Sequence, residues 1–348
     1  MRDFACANCG QRLSFENSLC LGCDSQLGFH FARRDLVVLA HGEEHDGVIV
    51  DARDYKLCDN LHLARCNWLV SVDDEDGLCE SCALTRTRPN DNDIEALEEF
   101  AQAEDAKRRL IFELSVLGLP IVSREAQPDS GLAFDLLSSR EEKIFTGHAD
   151  GVITLDLAEG DDVHREQMRV ELAEPYRTLL GHFRHEIGHY YFTVLVGQGE
   201  NRPEFEALFG DPDLDYQAAL DRHYTEGAPA GWEDEFVSSY ATMHPAEDWA
   251  ETFAHYLHIR DTLDTAAAFG FAPAGFTMDK SRPGRVGFNA ILDEWLPLVW
   301  SLNMMNRSMG HPDLYPFVLA PKVLDKLAFA HQLVTAQQQV EANSGATV

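Results

Sequence analysis

His185 and His189 stand four residues apart in the run Gly181-His-Phe-Arg-His-Glu-Ile-Gly-His-Tyr-Tyr191. On a helix that spacing puts both imidazoles on one face, a turn apart, close enough to hold one ion. Glu186 sits beside the pair, where its carboxylate can take a proton from a water bound to that ion. Gly188 leaves room next to the site. A catalytic zinc uses three protein ligands and keeps a fourth position for water, so one more ligand is needed. The stretch Tyr240-Ala-Thr-Met-His-Pro-Ala-Glu-Asp-Trp-Ala-Glu-Thr-Phe-Ala-His255 supplies candidates. Pro245 suits a helix start, and Glu247 and Glu251 then lie one turn apart on one face. One carboxylate can bind the ion while the other accepts the second ring N–H of a ligand histidine, which fixes its tautomer. Glu247 is assigned as the ligand and Glu251 as that acceptor. Asp248 is turned about 100° away on an ideal helix and is the weaker candidate.

All eight cysteines fall within the first 82 residues. Cys6-Ala-Asn-Cys9 and Cys20-Leu-Gly-Cys23 are separated by ten residues. Two such knuckles meeting at one ion place four thiolates in the tetrahedron that structural zinc prefers, and Gly10 suits the first turn. Cys58, Cys66, Cys79 and Cys82 form a second set with one compact knuckle, Cys79-Glu-Ser-Cys82; His62 is a substitute ligand that a complete set of four does not need. Rubredoxin-like iron is the redox alternative for the first set, but nothing else in the chain points to electron transfer. Both sets are read as folding staples for a segment poor in large apolar residues.

The elements that must position these residues follow from apolar spacing. A polar stretch after Cys82, LTRTRPNDND, reads as a linker. A helix is predicted from Ile94 to about Leu117, capped by Asn92 or Asp93, with Ile94, Leu97, Phe100, Leu110, Leu114 and Leu117 near helical spacing. Gly131–Ser139 and Gly151–Leu157 read as strands. A helix starting near Glu174-Pro175 carries Tyr176, Leu179, Leu180, Phe183, Ile187 and Tyr191 as its apolar stripe, which leaves the histidine pair on the other side. The expected organisation is a zinc-ribbon region at 1–90 with two four-cysteine sites, a metal-centred domain at 91–340 and a disordered tail at 341–348. The fold class is α+β: a mostly helical domain with a small sheet, preceded by a small β-rich zinc-ribbon domain.

The chain resembles a bacterial family of zinc-binding metallopeptidases with a zinc ribbon ahead of a zincin-like domain. The likeness runs through CANCGQRLSFENSLCLGC, LCESCALTRT, TGHADGVITLDLAE, EPYRTLLGHFRHEIGHYYF, HPAEDWAETFAHYLH and RSMGHPDLYPFVL. More distantly, HExxH followed by Tyr, six residues, Glu, three residues and Glu is similar to the gluzincin arrangement of the anthrax lethal factor protease. That resemblance implies His185, His189 and Glu247 as ligands, Glu186 as general base, Glu251 as the buttress of a ligand and Tyr240 as a transition-state donor. It implies one catalytic and two structural zinc ions and hydrolysis of a peptide or protein substrate. An extended peptide is expected to add to Gly151–Leu157, by analogy with the edge strand of zincins. No counterpart of the toxin's substrate-recruiting domains is visible, so its substrate preference does not carry over.

The alternative is a catalytically silent zinc-bound module that recruits a protein partner through its ribbons. The intact Glu186 favours the enzyme, because a binding-only site needs no base. A deaminase is disfavoured by the lack of a C-terminal P-C-x-x-C signature. Lys and Arg number 28 against 59 Asp and Glu, a net charge of −31 that repels phosphate backbones and anionic lipid, so neither nucleic acid nor membrane is expected as a partner. The start of the chain has no basic stretch leading into an apolar one, and a cytoplasmic protein is expected. His182, His255 and His258 are expected to pack within the helices, and Trp249 in the core. His223 and Tyr224 are weaker candidates to line a pocket. Arg307, His311, Asp313 and Tyr315 read either as a substrate wall or as an inter-helix lock.

Overall fold

The structure, a computed structural model, describes residues 2–40, 49–51, 54–140, 144–160 and 178–345, and the elements named below lie among them. The architecture is α+β and separates into two compact units: Met1–Val116 with Ile121–Glu166, and Leu117–Pro120 with Gln167–Val348.

In the first unit, β1 (Phe4–Ala5) and β2 (Arg12–Leu13) pair antiparallel around the first cysteine knuckle. The knuckle closes with the Gly10 N–H on the Cys6 carbonyl at 2.8 Å, and Gly10 has a φ of 74°, a left-handed conformation that glycine adopts without strain. β3 (Leu27–His30) runs antiparallel to β4 (Asp35–Ala40), which is parallel to β5 (Ile49–Asp51); β6 (Tyr55–Leu57) and β7 (Leu69–Ser71) form another antiparallel pair. The ribbons also have an apolar centre of their own. Phe15, Phe29 and Trp68 are fully buried, with Phe29 4.9 Å from both Phe15 and Trp68. Phe112 of α1 (Ile94–Val116) joins them, 5.3 Å from Phe15.

Helix α1 starts where the sequence places it, with Asp93 Oδ1 accepting the Ala96 N–H at 3.0 Å. The preceding stretch is not simply a linker. Thr85–Thr87 forms β8, which pairs parallel with β9 (Ala133–Leu137). The four strands run in the order β10 (Gly147–Ala149), β11 (Val152–Asp156), β9, β8. Ile153, Leu155 and Leu157 are fully buried, as the alternation predicts. The expectation of an edge strand here is corrected: among the described residues β11 is an inner strand, antiparallel to β10 over Val152–Thr154 and parallel to β9 along its length, and β10 takes the outer position.

The second unit is helical: α2 (Leu179–Leu195), α3 (Arg202–Phe209), α4 (Tyr216–Glu226), α5 (Pro245–Ala268), α6 (Gly284–Ser308) and α7 (Pro321–Gly345). The expected start near Glu174-Pro175 and Tyr176 lie outside the described residues; Thr178 caps α2, its hydroxyl accepting the Gly181 N–H at 3.0 Å. Trp249 on α5 is fully buried against Phe205 and Phe209 of α3 and Phe329 of α7. α7 extends to Gly345, so helix replaces the unstructured tail expected from residue 341; residues 346–348 lie outside the described residues.

Candidate metal centre

The site forms where α2 crosses α5. Gly188 makes the crossing close: a Cβ placed on it would stand 2.9 Å from Ala250 Cα. On the same contact Trp249 Nε1 donates to the Gly188 carbonyl at 2.8 Å. Phe183, Ile187 and Tyr191 are buried, which turns His185 and His189 to the other face of α2.

His185 Nε2 lies 3.0 Å from Glu247 Oε2, and His189 Nε2 lies 3.4 Å from Glu247 Oε1. Donors held about 2.0–2.1 Å from one tetrahedral ion sit about 3.3–3.4 Å apart, and one donor atom from each of the three residues lies within 4.8 Å of the others, near enough to close on a single ion. Glu251 Oε1 meets the other nitrogen of His185, Nδ1, at 2.8 Å, and Ser238 donates to Glu251 Oε2 at 2.6 Å. With Nδ1–H given to Glu251, the Nε2 lone pair of His185 is the one left for an ion. Asp248 faces elsewhere: its Oδ2 takes the buried Lys326 Nζ at 2.6 Å.

Charge at the centre is unbalanced toward carboxylate. Burial raises the Glu251 carboxyl, but the His185 ring and the Ser238 hydroxyl reverse that and hold it down at about 2. Burial likewise opposes ionisation of Glu247, and hydrogen bonds from His185 and His189 carry it well below the usual carboxylate range. Desolvation alone would lower the His185 imidazole; the two carboxylates on its nitrogens lift it well above its ordinary value. Glu186 is also buried, and among the described residues its Oε2 has no hydrogen-bond partner. Three carboxylates around two half-buried imidazoles favour a bound cation.

Tyr240 begins a short turn (Tyr240–Thr242) beside this centre. Its ring centroid is 6.0 Å from that of His185 and 5.9 Å from that of His223. Burial, then Glu247 and Tyr216, push its phenol up, so it stays a protonated donor. Tyr224 is largely exposed. The polar cluster near the C-terminus is split. Arg307 and Asp313 form an ion pair with the arginine exposed, His311 is exposed, and Tyr315 is buried with its hydroxyl 2.7 Å from His255 Nδ1. His258 packs between Trp295 and Tyr315. Sequence reasoning missed Tyr216, whose hydroxyl donates to Glu247 Oε1 at 2.9 Å, and Ser238. Neither has a spacing signal: Tyr216 arrives on a different helix from Glu247, and Ser238 from the loop before Tyr240.

The cysteines form two cages, Cys6, Cys9, Cys20 and Cys23, and Cys58, Cys66, Cys79 and Cys82. Sulfur pairs lie 3.7 Å (Cys6–Cys23), 3.5 Å (Cys9–Cys20) and 3.6 Å (Cys66–Cys79) apart. A tetrahedral Zn–S bond of about 2.3 Å gives S···S of about 3.8 Å, whereas a disulfide requires about 2.05 Å. The spacing therefore fits a shared ion. The second cage is completed without His62, and backbone N–H groups of Cys79 and Cys82 point at the sulfurs of Cys58 and Cys79. A zinc tetrathiolate carries two negative charges. Lys107 and Arg108 of α1, both buried, supply positive charge beside it. Burial opposes the Arg108 charge, and Cys66 leads the acidic groups that hold it.

Fold and cages together define a zinc-binding protein with an N-terminal zinc-ribbon region, and residues 3–93 match a zinc-ribbon domain model. The chain belongs to the family described as "Putative zinc-binding metallo-peptidase", whose model matches residues 96–333. Uncharacterized proteins of Mycobacterium tuberculosis (strain H37Rv) and Mycobacterium bovis are each 64% identical over 335 residues, covering 96% of this chain and 95% of theirs. No solved structure matches. Among the described residues no helix is long and apolar enough to cross a membrane.

Proposed function

We propose that this protein is a zinc-dependent peptidase. The observation that carries the reading is the buried Glu186 Oε2, without a hydrogen-bond partner among the described residues, next to the convergent His185, His189 and Glu247. A buried polar atom left without a partner is uncommon, and where one stands beside convergent metal-ligand side chains it points to a water, an ion or a reacting group as the missing partner. In this reading His185, His189 and Glu247 hold one zinc, and the two cysteine cages hold two structural ones. When bound, the catalytic ion supplies Lewis acidity and brings the pKa of its water toward 7.

The chain's own groups do the rest. Glu186 accepts a proton from the attacking water and delivers it to the leaving amine. Glu251, fixed by Ser238, keeps His185 in the tautomer that presents Nε2. Tyr240 donates its phenol O–H to the oxygen that gains charge in the transition state, a contribution worth about 3 kcal/mol for a well-placed donor. The substrate is a peptide or protein; the net charge of −31 disfavours nucleic acid.

The test is a proteome-wide cleavage assay comparing wild type with Glu186→Gln. The variant keeps shape and metal but cannot take a proton, so cleavage should fall by about 10²–10⁴. Equal cleavage by both would remove Glu186 from the mechanism. No cleavage by either, with a partner captured through the ribbons, would favour the silent recruiting module instead.

A further inference from the structure

We infer that Tyr216 is a positioning residue of the metal centre: its hydroxyl holds one oxygen of Glu247 and leaves the other for the ion. The inference rests on the reading of Glu247 as a ligand. Glu247 is almost fully buried, and its two oxygens are differently engaged. Oε2 faces His185 Nε2 at 3.0 Å, whereas Oε1 receives the Tyr216 hydroxyl at 2.9 Å and lies 3.4 Å from His189 Nε2. A phenol at neutral pH is a donor and an ionised carboxylate only accepts, so the direction of this bond is settled. An oxygen whose lone pair already accepts a hydrogen bond is a poorer metal donor than its twin. Tyr216 therefore biases Glu247 toward binding through Oε2 alone and keeps a coordination position clear.

Tyr216 is 42% exposed, yet its placement is not loose. It is the first residue of α4, which Asp215 caps by accepting the Ala218 N–H at 3.0 Å. His244, which caps α5 through Nδ1 on the Ala246 N–H, has its proton on Nε2 and gives it to the Leu214 carbonyl at 3.1 Å. The rings of His244 and Tyr216 are 5.3 Å apart. The start of α4 is thus latched to the start of α5 at two points, one of them the proposed ligand.

The experiment is zinc affinity at this centre in the full chain, measured by competition with a mild chelator that leaves the cysteine cages loaded. Melting temperature is followed with and without that one zinc. Tyr216→Phe should weaken zinc by about 10–100-fold, the usual effect of losing a hydrogen bond to a ligand. Its melting temperature without the zinc should be unchanged, and only the increment produced by zinc should shrink. A Tyr216→Phe affinity within about threefold of wild type would overturn the inference. So would a fall in melting that is equal with and without the metal, which marks a structural contact only. Glu247→Ala run alongside separates the two levels: if it retains this zinc, the assignment of the ligand has failed, and not merely the role of Tyr216.

Discussion

Replacing Gly188 with Ala would test whether the α2–α5 crossing sets the ligand spacing. The added Cβ meets Ala250 Cα at 2.9 Å and the Ala250 carbonyl oxygen at 3.2 Å. Carbon atoms in contact prefer about 3.5–4.0 Å, so the helices must part by roughly 0.6 Å or more. Both obstructing atoms are backbone, and no change of rotamer relieves them. Two effects oppose each other. Alanine is the better helix former by about 1 kcal/mol. Overpacking a tight contact costs about 1–3 kcal/mol, and strain on the Trp249–Gly188 hydrogen bond adds up to about 1 kcal/mol. The net expectation is a loss of about 1–2 kcal/mol, or roughly 2–8 °C in melting temperature for a unit of this size. Function should suffer more than stability. His185 and His189 ride on one helix and Glu247 on the other, so the shift goes directly into the 3.0 and 3.4 Å separations. Ligand misplacement of about half an ångström should weaken zinc by roughly tenfold. Calorimetric melting and chelator competition measure the two effects. A Gly188→Ala protein that is more stable than wild type and binds zinc as tightly would refute the reasoning, because propensity would then have outweighed a contact too soft to set the geometry.

Three further outcomes are expected. Metal analysis of protein purified without chelator should approach three zinc ions per chain, one for each ligand cluster, and replacing Cys6 and Cys9 together should remove one of them; eight alkylatable cysteines in the native protein would contradict both cages. Glu247→Ala should empty the histidine site at zinc concentrations where Glu251→Ala still fills it, since a buttress is typically worth about 10–100-fold and a ligand more; the reverse order would exchange their roles. His331 is fully buried, with Nδ1 3.0 Å from the Tyr256 hydroxyl and Nε2 2.8 Å from the Arg282 carbonyl, and burial pushes it down from 6.5 to about 4. Between those values the unfolded chain binds more protons than the folded one, so stability is full above pH 6.5 and falls toward pH 4, by roughly 3 kcal/mol for this group. Denaturant titrations of His331→Gln should show a shallower loss across that window; an identical slope would show that His331 does not couple there.

What could be read along the chain was whatever short-range geometry dictates. The helical period places His185 and His189 on one face, and Glu247 and Glu251 on another, before any tertiary contact is known. A C-x-x-C knuckle with a following glycine is a turn by itself, and the helix starts at Asp93 and His244-Pro245 are local hydrogen-bond bargains. Residues that act across the chain left no such mark. Tyr216 lies 31 positions before Glu247, and no periodicity links them. The choice among Glu247, Asp248 and Glu251 was narrowed by helix angle, but only Lys326, arriving on α7, shows why Asp248 faces away. Gly188 reads as space beside a site and is in fact a close helix crossing, a distinction that exists only when Ala250 is opposite. The sheet follows the same logic. A polar run such as LTRTRPNDND has the composition of a linker, and Thr85–Thr87 becomes a strand because β9 offers it a ladder. Lys107 and Arg108 on α1 are buried where their charge meets Glu104, Asp105 and the second cysteine cage, a set of partners that no local pattern announces. Local chemistry is written in spacing, whereas burial and partnership depend on which distant segment is brought near.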